Sequence, residues 1–375
     1  GVDGWGNTNW YDKVYGTGTR THHNISATGG SDRVRFFASI GYLNEDGNID
    51  NYGYNRLNLR SNIDAKLTKS LTFTLGVSGR IEKRDSPRYS ADPNAWHNVP
   101  QQIIRALPYV PDTYEYEGKT YNVSTPTASS PVAPVASINE SGYSKSNYSY
   151  IQSNFSLKYD APWLKGLSFK FQGAYDLTYN FSKILTNPYE VMIMNLPTIE
   201  STSLTYYKGT DASGNSISLS ESASRGYTFT TQSSVTYDNK FGKHTIGAMF
   251  LAETRENKSN ALSATGYGLD FIQLDELNQI TNKTGNGTEK FPTIGGYSGH
   301  TRVAGFVGRV NYNYDDKYYL EASLRYDGSY LFGGMNKRWV TLPGVSAGWR
   351  INNESWFNAP WINNLKLRSG IGKTA

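Results

Sequence analysis

The chain has no cysteine, which excludes disulfides and thiolate metal sites but leaves the compartment open, because many bacterial envelope proteins lack the residue. No apolar run approaches the roughly 20 residues that a membrane helix needs. What remains is a soluble fold or a β-barrel, whose signal is weak in any one segment. Charge is sparse, at 18% of residues with a net of +5. A basic balance raises the question of nucleic acid, yet the Lys and Arg are scattered singly and form no patch, so no nucleic-acid partner is expected. The five histidines, His22, His23, His97, His244 and His300, show no zinc spacing. No charged and apolar leader opens the chain.

What the sequence does have is alternation. From Tyr318 to Gly328, Tyr318, Leu320, Ala322, Leu324 and Tyr326 fall on one side, and Tyr319, Glu321, Ser323, Arg325 and Asp327 on the other. That is the period of a β-strand. Ala304, Phe306, Val310, Tyr312 and Tyr314 form a similar row before it, and Val345, Ala347, Trp349 and Ile351 another after it. A soluble sandwich also alternates, but its apolar rows seldom begin and end on Tyr or Trp. Aromatics at both ends of an apolar row suit a strand that crosses a bilayer. Read along the chain, the same pattern predicts about twelve strands and almost no helix, at about 20–30, 33–43, 55–66, 70–83, 147–160, 166–182, 225–238, 242–256, 302–315, 317–328, 342–352 and 363–372. A short helical turn is expected between Trp10 and Tyr15.

The predicted connections alternate as well. Tight links at 29–31, 67–69, 160–165, 239–241 and 315–316 are interleaved with longer ones at 44–54, 84–145, 183–224, 257–300 and 329–341. Short turns on one side and long loops on the other are the habit of outer-membrane barrels, and sandwiches and propellers have no reason to keep it. The link at 353–362 is the imperfect member. A charge on the lipid face near the midplane costs roughly 2–4 kcal/mol, so Arg60, Arg80, Lys170, Arg309, Arg325 and Arg350 are expected to face a wet interior.

Motifs that suggest catalysis fail on context. Gly344-Val345-Ser346-Ala347-Gly348 matches a hydrolase nucleophile pattern, but no His follows Ser346. Gly370-Ile371-Gly372-Lys373-Thr374 resembles the end of a phosphate loop, but Leu367 stands where its first Gly belongs. Asp46, Asn48 and Asp50 have the spacing of a calcium loop, but Asn51 replaces its Gly and Leu57 its bidentate Glu. No enzyme, no catalytic residue, no cofactor and no metal site are therefore expected.

The run from Phe306 to Trp356, FVGRVNYNYDDKYYLEASLRYDGSYLFGGMNKRWVTLPGVSAGWRINNESW, followed by WINNLKLRSGIGKT, resembles the barrel segment of SusC/RagA-type TonB-dependent outer-membrane transporters. So does the early stretch NTNWYDKVYGTGTRTHHNISATGGSDRVRFFASIGYLNEDGNIDN, although Asn9, Trp10 and Tyr11 stand where the family reads Asp-Trp-Gln. The resemblance implies an all-β, antiparallel transmembrane barrel segment of about twelve strands with long extracellular loops. It further implies that residues 1–375 are part of the barrel domain, with no plug in this chain. By the same resemblance the protein sits in outer-membrane lipid and imports oligosaccharides or peptides, with TonB and a SusD-like lipoprotein as partners. The alternatives are a soluble or secreted β-rich glycan-binding protein and a passive porin.

Substrate contacts are expected in the long loops. The segment 84–145 holds Trp96, Tyr109, Tyr114, Tyr116 and Tyr121 with several prolines, and such aromatic surfaces stack on sugar rings or peptide side chains. They serve equally to order a loop against its neighbours. The same holds for Tyr206, Tyr207, Tyr267 and Phe271. Arg325, on the wall, completes the set of candidates.

Overall fold

The computed structural model describes residues 5–88, 99–124, 132–196, 204–210, 216–333, 338–359 and 361–374. In chain order its strands are β1 (Arg20–Gly30), β2 (Val34–Asp46), β3 (Gly53–Lys66), β4 (Leu71–Pro87), β5 (Thr113–Tyr116), β6 (Lys119–Ser124), β7 (Gly142–Asp160), β8 (Leu167–Thr186), β9 (Glu190–Asn195), β10 (Thr205–Thr210), β11 (Ser218–Phe241), β12 (His244–Tyr267), β13 (Thr293–Tyr314), β14 (Tyr318–Ser329), β15 (Trp339–Arg350) and β16 (Lys366–Gly372). Three short helices accompany them, α1 (Trp10–Val14), α2 (Val99–Arg105) and α3 (Pro134–Asn139).

Twelve of these strands form one antiparallel sheet in the order β1-β2-β3-β4-β7-β8-β11-β12-β13-β14-β15-β16. Each strand is hydrogen-bonded to its predecessor in the wall, so the sheet is a meander with β1 and β16 as its end strands. Each of the twelve predicted strands has its counterpart in the wall, although β8, β11, β12 and β13 run further than predicted, and α1 takes the place of the expected turn, with the Asn9 side chain accepting from the Tyr11 N–H at its start. The tight turns are built for hairpins. Between β13 and β14, Asp315 and Asp316 both adopt positive φ (51° and 53°), the backbone that matches strand twist. Asn353 donates to the Asp316 carbonyl at 3.0 Å, which helps hold a residue without a glycine's freedom in that conformation.

The structure corrects two of the expected loops. The segment 183–224 shrinks to 187–217 and 257–300 to 268–292, because β8, β11, β12 and β13 continue outward. β11 and β12 each have 24 residues, about 80 Å along the strand, far more than a bilayer requires. Beyond the apolar band both faces meet water, so the alternation that marks a strand disappears while its ladder continues. Along β12, Glu256, Lys258 and Asn260 on one face accompany Arg255, Asn257 and Ser259 on the other.

The expected long loop 84–145 is likewise corrected, since part of it is folded. Together with the connection after β8 it makes a small body at the long-loop end of the wall. β5 and β6 form a hairpin through Glu117 and Gly118, both at positive φ. β6 then pairs in parallel with β9 at Val123 and Ser124, and β10 completes the four strands. Val99, Ile103, Val110, Val123, Val132, Met192 and Met194, with Trp10 and Val14 of α1, make its core. The Trp10 indole donates to the Leu107 carbonyl at 2.9 Å and Thr8 to the Val110 carbonyl at 2.7 Å, so the first helix is tied to this body.

Candidate functional site

The wall has two chemically opposed faces, and pairing carries each from strand to strand. On one, Leu320 lies opposite Tyr312 and Ala347, Leu324 opposite Gly308 and Pro343, and Tyr326 opposite Phe306 and Thr341. Leu324 and Phe250 are about half exposed, at 51% and 53%, an arrangement that water penalises and lipid does not. Aromatics close the row at both ends. Tyr326 stacks on Trp339 with centroids 4.8 Å apart, and eight residues away Tyr318 stacks on Tyr314 at 6.4 Å. That separation is about 27 Å along the strand, roughly 20 Å of height at the usual barrel tilt, which fits within an outer-membrane apolar band about 25 Å tall.

The opposite face is polar. Pairing puts Arg60, Arg80, Lys170, Arg309, Arg325 and Arg350 on this one face, as the lipid-cost argument expects. Several carry local partners: Arg80 and Glu82 at 2.8 Å, Arg309 and Glu321 at 3.8 Å, Arg325 and Asp327 at 2.5 Å. Near the tight-turn end a cavity of about 440 Å³ opens beside Asp238, Asn311, Glu321, Lys366 and Arg368. The Lys366 ammonium sits 3.5 Å from the Tyr319 ring centroid there.

The aromatic candidates divide by environment. Tyr114 stacks face to face on Tyr206 at 4.0 Å, which joins β5 to β10, and Tyr109 meets Trp5 edge-on at 5.6 Å. Both therefore pack the body. Tyr121 is buried, with the Lys119 and Lys208 ammonium groups 4.5 and 5.1 Å from its ring centroid. Tyr116 is exposed, and Lys208 also lies 5.5 Å from its ring centroid. Tyr207 and Phe271 are exposed as well, whereas Tyr267 carries Lys290 over its ring at 3.7 Å. Trp96 lies outside the described residues. Arg325 belongs to the wall, and no hydrogen bond or ring contact among the described residues joins it to these tyrosines. Sequence reasoning missed the residues that build the body, above all Met192, Met194 and Val123. The available signal was the four-residue spacing of Val99 and Ile103 on α2.

Electrostatics within the body are local. The Lys13 ammonium bonds Asp112 at 2.5 Å and holds its carboxyl below the usual range. Burial pushes Glu140 up, opposed by a hydrogen bond from Asn122. At the other end of the wall Glu354 accepts from the Tyr318 hydroxyl at 2.6 Å, the Trp349 indole at 3.0 Å and the Lys317 ammonium at 3.1 Å. These donors, Tyr318 foremost, hold its pKa at about 2.

The motifs that suggested catalysis are strand. Ser346 lies within β15 with no strand-to-helix turn, and Gly370 to Gly372 end β16. Asp46 closes β2 and accepts from Thr19 at 2.7 Å. Among the described residues no group of three His, Asp or Glu is placed to hold a metal ion.

No family model matches the chain. Two TonB-dependent receptors of Formosa agariphila are each 25% identical to it, one over 98% and the other over 100% of its length. SusC of Bacteroides thetaiotaomicron, also named a TonB-dependent receptor, is 23% identical over 99% of the chain. The chain spans about a third of these relatives, 34–35% of their length. Among solved structures, that of the RagAB peptide transporter superposes on 98% of the chain with a TM-score of 0.72 at 22% identity, and the chain covers 38% of it. A wall with one lipid-matched face, aromatic-ended strands and alternating short and long connections is thus outer-membrane β-barrel, similar in sequence over nearly its whole length to TonB-dependent receptors, SusC among them, and similar in fold to the RagAB transporter.

Proposed function

We propose that the chain forms part of an energy-coupled outer-membrane importer of oligosaccharides or peptides, powered through TonB and closed from outside by a SusD-like lipoprotein. On this reading residues 1–375 are a portion of the barrel domain, and the plug is supplied by other sequence of the same protein. The observation that carries the reading is the folded body at the long-loop end of the wall. A passive pore needs no such structure at its mouth, whereas a receptor needs a surface that meets cargo first. The names of the relatives, TonB-dependent receptor and peptide transporter, support the same direction. The apolar face weighs against a soluble glycan-binding protein.

Cargo contact is assigned to the exposed ring of Tyr116; Tyr207 is exposed on the same body, but alternation along β10 points it away from the face on which Tyr206 and Lys208 meet Tyr114 and Tyr116. Tyr109 and Tyr114 position the body. Trp96 stays among the proposed contacts on sequence grounds, and Arg325 acts after capture, as one charge of a wet interior. The test is uptake of labelled oligosaccharide and peptide by cells carrying the complete protein, with and without an uncoupler. Uptake of either that stops with the uncoupler supports an importer. Uptake indifferent to it makes the protein a passive pore.

A further inference from the structure

The wall changes height abruptly between β13 and β14. β13 begins at Thr293, but its ladder with β14 begins only at Val303, opposite Ser329. On the other side β13 is paired with β12 from Thr293 onward. Among the described residues, the upper part of β13 therefore has one satisfied edge and one open edge.

Tyr330 shows which groups face the open side. As the chain leaves β14, the Tyr330 N–H donates to the Arg302 carbonyl at 3.2 Å, and its hydroxyl donates to the His300 carbonyl. In an antiparallel strand successive residues point their backbone groups to opposite edges, so Ser298, Gly296 and Ile294 present theirs to the same side as His300 and Arg302. Among the described residues these three have no backbone partner on that side. All three are exposed.

An open edge invites pairing, and proteins usually blunt one with charge, proline or a bulge. Here the open positions are Ile, Gly and Ser. The nearest charges stand below them, where Arg302 and His300 both engage Glu256, at 3.0 and 2.7 Å. Glycines at 295, 296 and 299 leave little side-chain bulk along the edge. We infer that the Ile294–Ser298 edge of β13 is a binding site for an extended peptide, which adds to the sheet as a further strand.

The occupant follows from hydrogen-bond complementarity. The edge offers alternating N–H and C=O groups at strand spacing, which an extended polypeptide matches and a sugar ring does not. Recognition of this kind reads backbone and tolerates many side chains. The inference rests on the importer reading and narrows its cargo to peptides.

The test is direct binding to the complete protein in detergent micelles. The probe is a blocked ten-residue Thr/Ser peptide, compared with the same peptide N-methylated at alternate residues. Methylation and Ser298→Pro should each weaken binding about tenfold, the worth of one or two hydrogen bonds. Proline at 298 removes an N–H on the open side and spares the ladder to β12. Gly296→Pro is the second variant should the first fail to assemble, as judged by heat-modifiable migration. Equal binding of the two peptides, or proline variants that bind as wild type, overturns the inference. So does hydrogen exchange showing these amides already protected without peptide, or protected only when a lipoprotein partner is added. Uncoupler-sensitive uptake of oligosaccharide by a protein that binds no peptide sinks this inference and spares the importer reading. Energy-independent uptake with methylation-sensitive binding does the reverse.

Discussion

The Tyr318 hydroxyl donates to Glu354 across 2.6 Å, and through this bond the aromatic end of β14 is tied to the connection that follows β15. Trp349 and Lys317 complete the cage. Because the folded pKa is about 2, below the ordinary carboxylate value near 4.3, the carboxylate's stabilisation is fully present above that ordinary value. It is lost as pH falls through the folded one. The expected outcome is a junction intact at pH 5 and opened near pH 2, read as exchange of the Trp349 indole proton. Glu354→Gln should open the junction at pH 7 and abolish its acid transition.

The facing of the wall is checked one residue apart. Leu324 is on the apolar face and Ser323 on the polar one. Leu324→Arg should lower assembly by roughly 2–4 kcal/mol, and Ser323→Arg should leave it near wild type. Folded-barrel yield in lipid vesicles decides, and equal yields would mean the faces are misassigned.

A third expectation concerns the body outside the wall. Met194 is fully buried in its core, and Met194→Ala should cost about 2–5 kcal/mol there. The body should loosen and, on the proposed importer reading, lose cargo binding or lipoprotein association while the barrel still resists heat in detergent. If barrel yield and cargo binding fall together, the two parts are not separable as described.

Lys183 lies within 3.5 Å of Glu221, Asp275 and Glu276 and so fastens the 268–292 connection to β8 and β11. Lys183→Met leaves three carboxylates without their shared cation. Opening of the connection should become about tenfold more frequent, visible as faster protease nicking within 268–292. An unchanged nicking rate would assign the fastening to other contacts.

How much of this was legible depended on solvent. Within the bilayer one face of each strand meets lipid and the other water, so Leu320 and Glu321 announce their sides directly. Above it, Glu256 and Arg255 are both wet, and the strand that carries them leaves no periodic trace. The outer body was hidden for a different reason. Its helices of five to seven residues are too short to be stable alone. Its central pairing joins Val123 to Met192, 69 residues away, over only two residues. Tyr114 was conspicuous as an aromatic in a long loop, but only the position of Tyr206 decides that its ring is used for packing.

The meander has a consequence for how such proteins diversify. The 88–141 connection leaves the wall at Pro87 and returns at Tyr143, its direct ladder partner, and the connection after β8 spans Thr186 and Ser218, which are likewise paired. Whatever chain lies between such neighbours, the wall's ladder closes in the same way. The outer segments can therefore be exchanged or lengthened at these two points without renegotiating the membrane part, and selection on the outer body can proceed almost independently of selection on barrel assembly.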